Sequence, residues 1–197
     1  MLRRFLHDPF YQRNAPGCRD VASVAYCLLV TLLAKILTVS DSVHAGERED
    51  TAAPQLATLL QSAGFDVLER RVVPDGVESV AAALLHLTRD FAGVVVTTGG
   101  TGFAPRDLTP EGTIQILERE APGFAEVMRS TSPFGPLSRS RCGTVGRSLV
   151  LNTPGSPKGA LESLDAVLPL VPHALELLDG TSRDHPPEIG GKTASSS

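Results

Sequence analysis

Val94, Val95 and Val96 form an unbroken β-branched run that leads, through Thr97 and Thr98, into Gly99-Gly100-Thr101-Gly102. A run without polar alternation suits a strand covered on both faces, and such strands belong to sheets flanked by helices. The glycines lack a Cβ, so the backbone there can take positive φ and approach a ligand closely. Downstream, Thr109, Pro110 and Glu111 have the order of an N-cap, a first helical residue and a first-turn acid, which predicts a helix over Pro110 to Glu120. A buried strand that runs through a glycine loop into a capped helix is a layout for holding an anion at the edge of a sheet.

The same alternation recurs along the chain. Lys35 to Val39 reads as a strand and Ser40 to Thr51 as a polar, acidic loop; Leu56, Leu59, Leu60 and Ala63 then repeat at helical spacing before Gly64. Asp66 to Val73 is a second strand. Pro74-Asp75-Gly76 turns into a helix whose apolar face is Val77, Val80, Ala81, Leu84 and Leu85, with Asp75 and Glu78 at capping-box spacing. After Pro122 a short helix precedes Ser130 to Arg141, an irregular serine- and proline-rich stretch, and then come the strand Arg147 to Leu151, the loop Asn152 to Gly159 and two helical segments. Alternating strands and helices predict an α/β fold, a mostly parallel sheet with helices on both faces. Ligands of such sheets gather outside the carboxyl ends of the strands. Three strand ends open into unusual loops, at Ser40-Asp41, Thr98 to Asp107 and Asn152 to Lys158, and adjacent parallel strands would bring all three to one rim.

With 197 residues the chain fits one domain, expected over residues 34–180, between an N-terminal extension (1–33) and a polar tail (181–197). The 18 basic and 22 acidic residues leave a net charge of −4 with no basic stripe and no tryptophan, which argues against a nucleic-acid partner. Cys18, Cys27 and Cys142 are an odd number without a CxxC pair, so neither a disulfide framework nor a zinc site is expected, and a reducing cytoplasmic setting is. The apolar stretch Val21 to Val39 resembles a signal anchor, but Asp20 abuts it and Lys35 interrupts it. Its end is needed as a strand, so no stable membrane association is expected.

Asp75 and Asp107 each lie at a helix-entry turn, where a carboxylate either serves the turn or meets a metal. Magnesium takes one or two such carboxylates plus phosphate oxygens and water, so two acids beside glycine amides make a layout for phosphoryl chemistry. Lys158 and Arg106 are either anion ligands or surface charges, and Ser132 and Ser138 either ligand contacts or turn residues. The histidines His44, His86, His173 and His185 are scattered with no nucleophile elbow nearby, and no GxxxxGK[ST] signature is present. Neither a catalytic triad nor a P-loop NTPase is therefore expected.

Taken together, Ile36 to Ser42, Gly46 to Thr51, Val72 to Gly76, Thr97 to Glu111, Pro136 to Ser140 and Asn152 to Gly159 resemble, in order, the molybdopterin adenylyltransferase family of molybdenum cofactor biosynthesis, which includes the related domain of gephyrin. The resemblance implies a three-layer α/β/α domain, a homotrimer, and Mg²⁺-dependent transfer of AMP from ATP to the terminal phosphate of molybdopterin with release of pyrophosphate. It makes Asp75 and Asp107 the essential, magnesium-managing acids. Ser40, Asp41, Gly99, Gly100, Thr101, Gly102, Pro154 and Gly155 would face the nucleotide, and Ser132, Ser138 and Lys158 the pterin phosphate. The molybdate-inserting enzyme is the implied protein partner. A non-catalytic member that binds molybdopterin as a scaffold is the rival expectation. The chain departs from the family pattern at Asp50-Thr51-Ala52-Ala53, where a glycine is common, at Gly76, where an acid is usual, and at Gly112, where alanine is customary.

Overall fold

In the computed structural model of the protein, residues 32–180 are described; the expectations for an N-terminal extension and a C-terminal tail fall almost wholly outside them. The elements are β1 (Leu32–Val39), α1 (Asp41–His44), α2 (Ala52–Ser62), β2 (Phe65–Val73), α3 (Val77–Thr88), β3 (Gly93–Thr98), α4 (Thr109–Ile114), β4 (Arg119–Glu120), α5 (Pro122–Ser130), β5 (Cys142–Val145), β6 (Ser148–Thr153), α6 (Pro157–Val167) and α7 (Val171–Asp179). One six-stranded sheet has the order β2-β1-β3-β6-β5-β4. The first four strands of that order are parallel, whereas β5 runs antiparallel to β6 and β4 antiparallel to β5.

Strand geometry explains how apolar runs serve two layers at once, because successive side chains point to opposite faces. Ala34 and Ile36 of β1, Val94 and Val96 of β3, and Leu149 and Leu151 of β6 pack with α2, α5 and α6 through Leu56, Leu60, Met128 and Leu164. Their neighbours Leu37, Val39, Val95 and Val150 face the other way and pack on α3 through Val80, Leu84 and Leu87. All of these side chains are essentially removed from solvent. Each of the Val, Leu, Ile and Met side chains contributes about 1.5–3 kcal/mol by burial. The structure thus has the expected three layers on a mostly parallel sheet, and β1 takes up the end of the apolar stretch that resembled an anchor. Among the described residues, no helix is long and apolar enough to cross a membrane.

Several local expectations are corrected. The helix expected over Pro110 to Glu120 ends at Ile114, and Thr109 is its first residue rather than its cap, the N-cap being Leu108 without a side-chain cap bond. Arg119 and Glu120 instead pair with Thr144 and Gly143 of β5. That pairing, and β5 itself, carries no periodic signal, since four residues ending at the Gly146 turn are too few to reveal a period. Asp75 does not cap α3 either: the N-cap is Gly76 at φ 149°, and no side chain caps that end. The loop expected over Ser40 to Thr51 contains the short helix α1, which Ser40 caps by accepting the Val43 N–H. Gly112, a departure from the family pattern, has a local reason, because a Cβ there would lie 2.7 Å from the Val77 carbonyl oxygen and 2.8 Å from Val80 Cβ.

Cys142 is a free, buried thiol, 3.7 Å from the Met128 sulfur. Burial pushes it up to about 12. At pH 8 its thiolate fraction is on the order of 10⁻⁴, and the thiolate is the reactive form. Iodoacetamide applied to the native protein at pH 8 is therefore expected to leave the Cys142 peptide unmodified by mass spectrometry and to label it after denaturation. Equal labelling in both states would contradict its burial.

Candidate active site

Because β2, β1, β3 and β6 are parallel neighbours, their carboxyl ends open onto one rim. The rim carries, in that order, Asp75, then Ser40 and Asp41, then Gly99 to Asp107, then Pro154 to Lys158. The chain leaves β1 first toward β2 and later returns to β3 on the other side, so the glycine loop stands at the crevice where ligands of such sheets bind.

Close backbone approach explains the glycines. Gly99 has φ 102°, and a Cβ there would overlap the carbonyl oxygen of Val39. At Gly155 a Cβ would come 3.1 Å from Gly99 Cα, so the two loops touch through their backbones. Gly100, at φ 61°, has no room for a Cβ beside Thr109 Oγ1, and Asp75 Oδ1 would lie 3.1 Å from it. The loop is thus pressed between the end of β1, the start of α4 and the Asn152–Gly159 segment. The amides of Gly100, Thr101 and Gly102 donate to no protein acceptor among the described residues.

Two hollows flank this junction and share Gly100, Asp107, Gly155 and Ser156. The larger, about 640 Å³, is lined by Thr101, Gly102, Ser132, Ser138, Pro154 and Lys158 among others. The smaller, about 460 Å³, is lined by Ser40, Asp50, Thr51, Asp75 and Gly99 among others. Every expected site residue but Asp41 therefore lines one lobe or both. Asp41 lines neither: its carboxylate receives Arg106 Nε at 2.6 Å and Nη2 at 2.9 Å, and also the Asp75 N–H at 3.1 Å.

Of the alternatives left open for Arg106, the structure shows a surface charge, 63% exposed, that is paired with Asp41. Its Nη2 also donates to the Asp75 carbonyl at 2.6 Å, tying the β1, β2 and β3 ends together. The guanidinium holds the Asp41 carboxyl below the usual carboxylate range, and Arg106 is in turn raised by Asp41. Asp75 behaves oppositely. Its Oδ2 accepts the Asp41 N–H at 2.8 Å, yet desolvation pushes its carboxyl up, and the negative charges of Asp41 and Asp107 push in the same direction. Asp107 Oδ2 accepts the Ala104 N–H at 2.8 Å, so this acid does serve its turn while also facing both lobes, with no base paired to its carboxylate among the described residues.

In the larger lobe, Ser138 Oγ lies 3.2 Å from Thr101 Oγ1, and Ser132 Oγ accepts the Phe134 N–H at 3.2 Å. Lys158 is 86% exposed, meets Glu162 at 3.8 Å and lines the larger lobe beside it. Three supporting residues were not singled out from sequence. Asp50 accepts from Thr38 Oγ1 at 2.6 Å and from the Ala52 and Ala53 amides of the first turn of α2, whose N-cap is Thr51, and it borders the smaller lobe. Asn152 is fully buried and donates to Thr97 and Thr113 hydroxyls at 3.0 Å each while its Oδ1 accepts the Arg141 N–H. Arg139 bonds the glycine loop from the serine-rich segment. An asparagine at the end of an apolar strand was the available signal for the second; the other two lie within the family-like segments Gly46 to Thr51 and Pro136 to Ser140, which gave them no individual role.

Comparison with known proteins agrees with this architecture. A family described as a probable molybdopterin binding domain matches residues 35–173. The chain is 39% identical over 183 residues to the molybdopterin adenylyltransferase of Haemophilus influenzae, spanning 81% of this chain and 92% of that one. It is 38% identical to the molybdenum cofactor synthesis protein cinnamon of Drosophila melanogaster over 73% of its own length, but spans only 25% of that longer protein. Among solved structures, the molybdopterin biosynthesis enzyme MoaB of Thermus thermophilus is 46% identical, with a TM-score of 0.72 over 76% of this chain and 98% of that one. The glycine-lined cleft thus stands on a scaffold shared at both the sequence and the structural level, and the chain belongs to the molybdopterin-binding family of molybdenum cofactor biosynthesis, to which the molybdopterin adenylyltransferases also belong.

Proposed function

We propose that this chain adenylylates molybdopterin with ATP, releasing pyrophosphate. The observation that carries the reading is the junction of the two lobes, where unpaired amides of Gly100, Thr101 and Gly102 and the carboxylate of Asp107 meet. Two anionic reactants have to be held end to end there. The smaller lobe, with Ser40, Gly99 and Asp75, suits the nucleotide; the larger, with Ser132, Ser138 and Lys158, suits the pterin and its phosphate.

In the transfer, a terminal phosphate oxygen of molybdopterin bonds to the α-phosphorus of ATP. The bond from that phosphorus to the α–β bridging oxygen breaks, and its electron pair leaves with pyrophosphate. No protein nucleophile is needed, so the chain contributes orientation and charge placement. Loop amides donate to phosphate oxygens, and Lys158 supplies a cation at the pterin end. Asp75 and Asp107 fit a magnesium ion: they are hard donors on one rim, and Asp75 is pushed up chiefly by desolvation and less by the charges of Asp41 and Asp107, a cost a divalent cation would relieve. Among the described residues no cluster of three ligating side chains exists, which suits an ion completed by phosphate oxygens and water. When bound, Mg²⁺ would neutralise charge on the phosphates.

Purified protein given molybdopterin, ATP and Mg²⁺ is expected to form adenylyl-molybdopterin and pyrophosphate in equal amounts, and EDTA in excess of Mg²⁺ is expected to stop both. Tight molybdopterin binding without either product would favour the scaffold reading. The resemblance further supports a homotrimer that works in the cytoplasm and passes its product to the molybdate-inserting enzyme.

A further inference from the structure

The group that joins the two lobes mechanically is Arg139, a residue of the serine-rich segment that lines neither lobe. Its guanidinium bridges the glycine loop, at Gly102, to the start of α4. Nε donates to the Gly102 carbonyl at 2.7 Å, Nη2 to the carbonyl of Asp107 itself, and Nη1 to Glu111 Oε1 on the first turn of α4. Its backbone N–H donates to the Thr101 carbonyl at 2.8 Å, and its guanidinium carbon lies 5.7 Å from the Phe103 ring centre. One residue therefore contacts Thr101, Gly102, Phe103, Asp107 and Glu111.

Each of those contacts bears on the junction. Thr101 and Gly102 carry two of the three unpaired amides, and the Asp107 carboxylate lies against Gly102 closely enough that a Cβ there would be 2.8 Å from Oδ2. Holding the Gly102 and Asp107 carbonyls in one planar fork fixes the angle between the amide cradle and the acid. A lysine cannot reproduce this, because an ammonium offers a point charge rather than a fork of fixed geometry. The second observation is on the Glu111 side: its Oε2 is buried and without a hydrogen-bond partner among the described residues, so among them Arg139 is the one cation paired with that carboxylate, whose side chain is 40% exposed. A lone structural ion pair would leave the loop carbonyls to other donors. Here the same guanidinium serves both.

We propose that Arg139 is a positioning residue for adenylyl transfer, setting the amides of Thr101 and Gly102 against the Asp107 carboxylate through their backbone carbonyls. The inference rests on the adenylyltransferase reading above. A displacement of about 1 Å between reacting groups can cost on the order of 10²-fold in rate. R139Q is therefore expected to lower kcat about 100-fold while the KM for ATP and molybdopterin changes less than about threefold. R139K is expected to behave like R139Q rather than like the wild type.

The decisive comparison adds E111Q. If Arg139 only neutralises Glu111, the R139Q/E111Q double variant should recover both thermal stability and kcat, which would overturn the proposal. If it positions the loop, stability recovers while kcat stays about 100-fold low. Arg141, which pairs with Glu120 at the surface 3.2 Å away, provides the control, and R141Q is expected to match the wild type. An active wild type with R139Q kcat within threefold of it would overturn this inference alone. A wild type that forms no product overturns the transfer reading and this inference together.

Discussion

Asp107→Asn is expected to lower the rate of adenylyl transfer by about 10²–10³-fold while molybdopterin remains bound. Asparagine is the informative replacement because its side-chain oxygen can still accept the Ala104 N–H that Asp107 Oδ2 accepts at 2.8 Å. The turn is preserved and only the charge is removed. Asp107 lines both lobes, whereas the groups proposed to hold the pterin, among them Ser132, Ser138 and Lys158, lie in the larger lobe and do not depend on it. Single-turnover product formation measures the first effect. Retention of molybdopterin through gel filtration measures the second. Product formation at the wild-type rate would remove Asp107 from the mechanism, and loss of pterin binding would move its role from the reaction to substrate capture.

Gly99→Ala is expected to have the largest effect on stability, about 2–6 kcal/mol, from backbone strain at positive φ together with steric overlap. Gly99 has φ 102°, and its missing Cβ would overlap the Val39 carbonyl oxygen at the end of β1, which a strand cannot withdraw without disturbing its pairing with β2 and β3. A domain of this size has only about 5–15 kcal/mol in total. At roughly 2–4 °C per kcal/mol, Tm should fall by about 4–24 °C, or soluble protein be lost. Gly146→Ala separates the two contributions, since Gly146 has φ 54° but nothing within 4 Å of an added Cβ. It should cost only the strain, about 1–2 kcal/mol. Similar Tm values for the two variants would mean that the loop does not press on β1.

Much of this geometry is legible in the chain because it follows from local rules. The unbroken valines announced a covered strand, and β3 is buried throughout. The helical spacing of Leu56 and Leu60 predicted a face that does enter the core. The convergence of three loops followed from alternation alone, since parallel strands necessarily end on the same side. Short and reciprocal features were not legible. β4 and β5 are two and four residues long, too brief for a period to register, and their pairing depends on residues more than twenty positions apart.

Polar side chains divide in the same way. Asp75 has the spacing of a helix cap, yet in the folded chain its carboxylate reaches across to the Asp41 amide, 34 positions earlier. Arg106 has the look of an anion ligand but pairs with Asp41, 65 positions away. Arg139 sits in an irregular serine-rich stretch, and only the fold brings its guanidinium to Gly102, Asp107 and Glu111. By itself, the sequence determined the four parallel strands, which loops are glycine-lined and, through their ordered motifs, which family the chain belongs to, because those properties depend on neighbours along the backbone. Tertiary structure alone decided which charges are free to meet a ligand and which neutralise one another, because Coulombic and hydrogen-bond partners are set by distance in space rather than by separation along the chain.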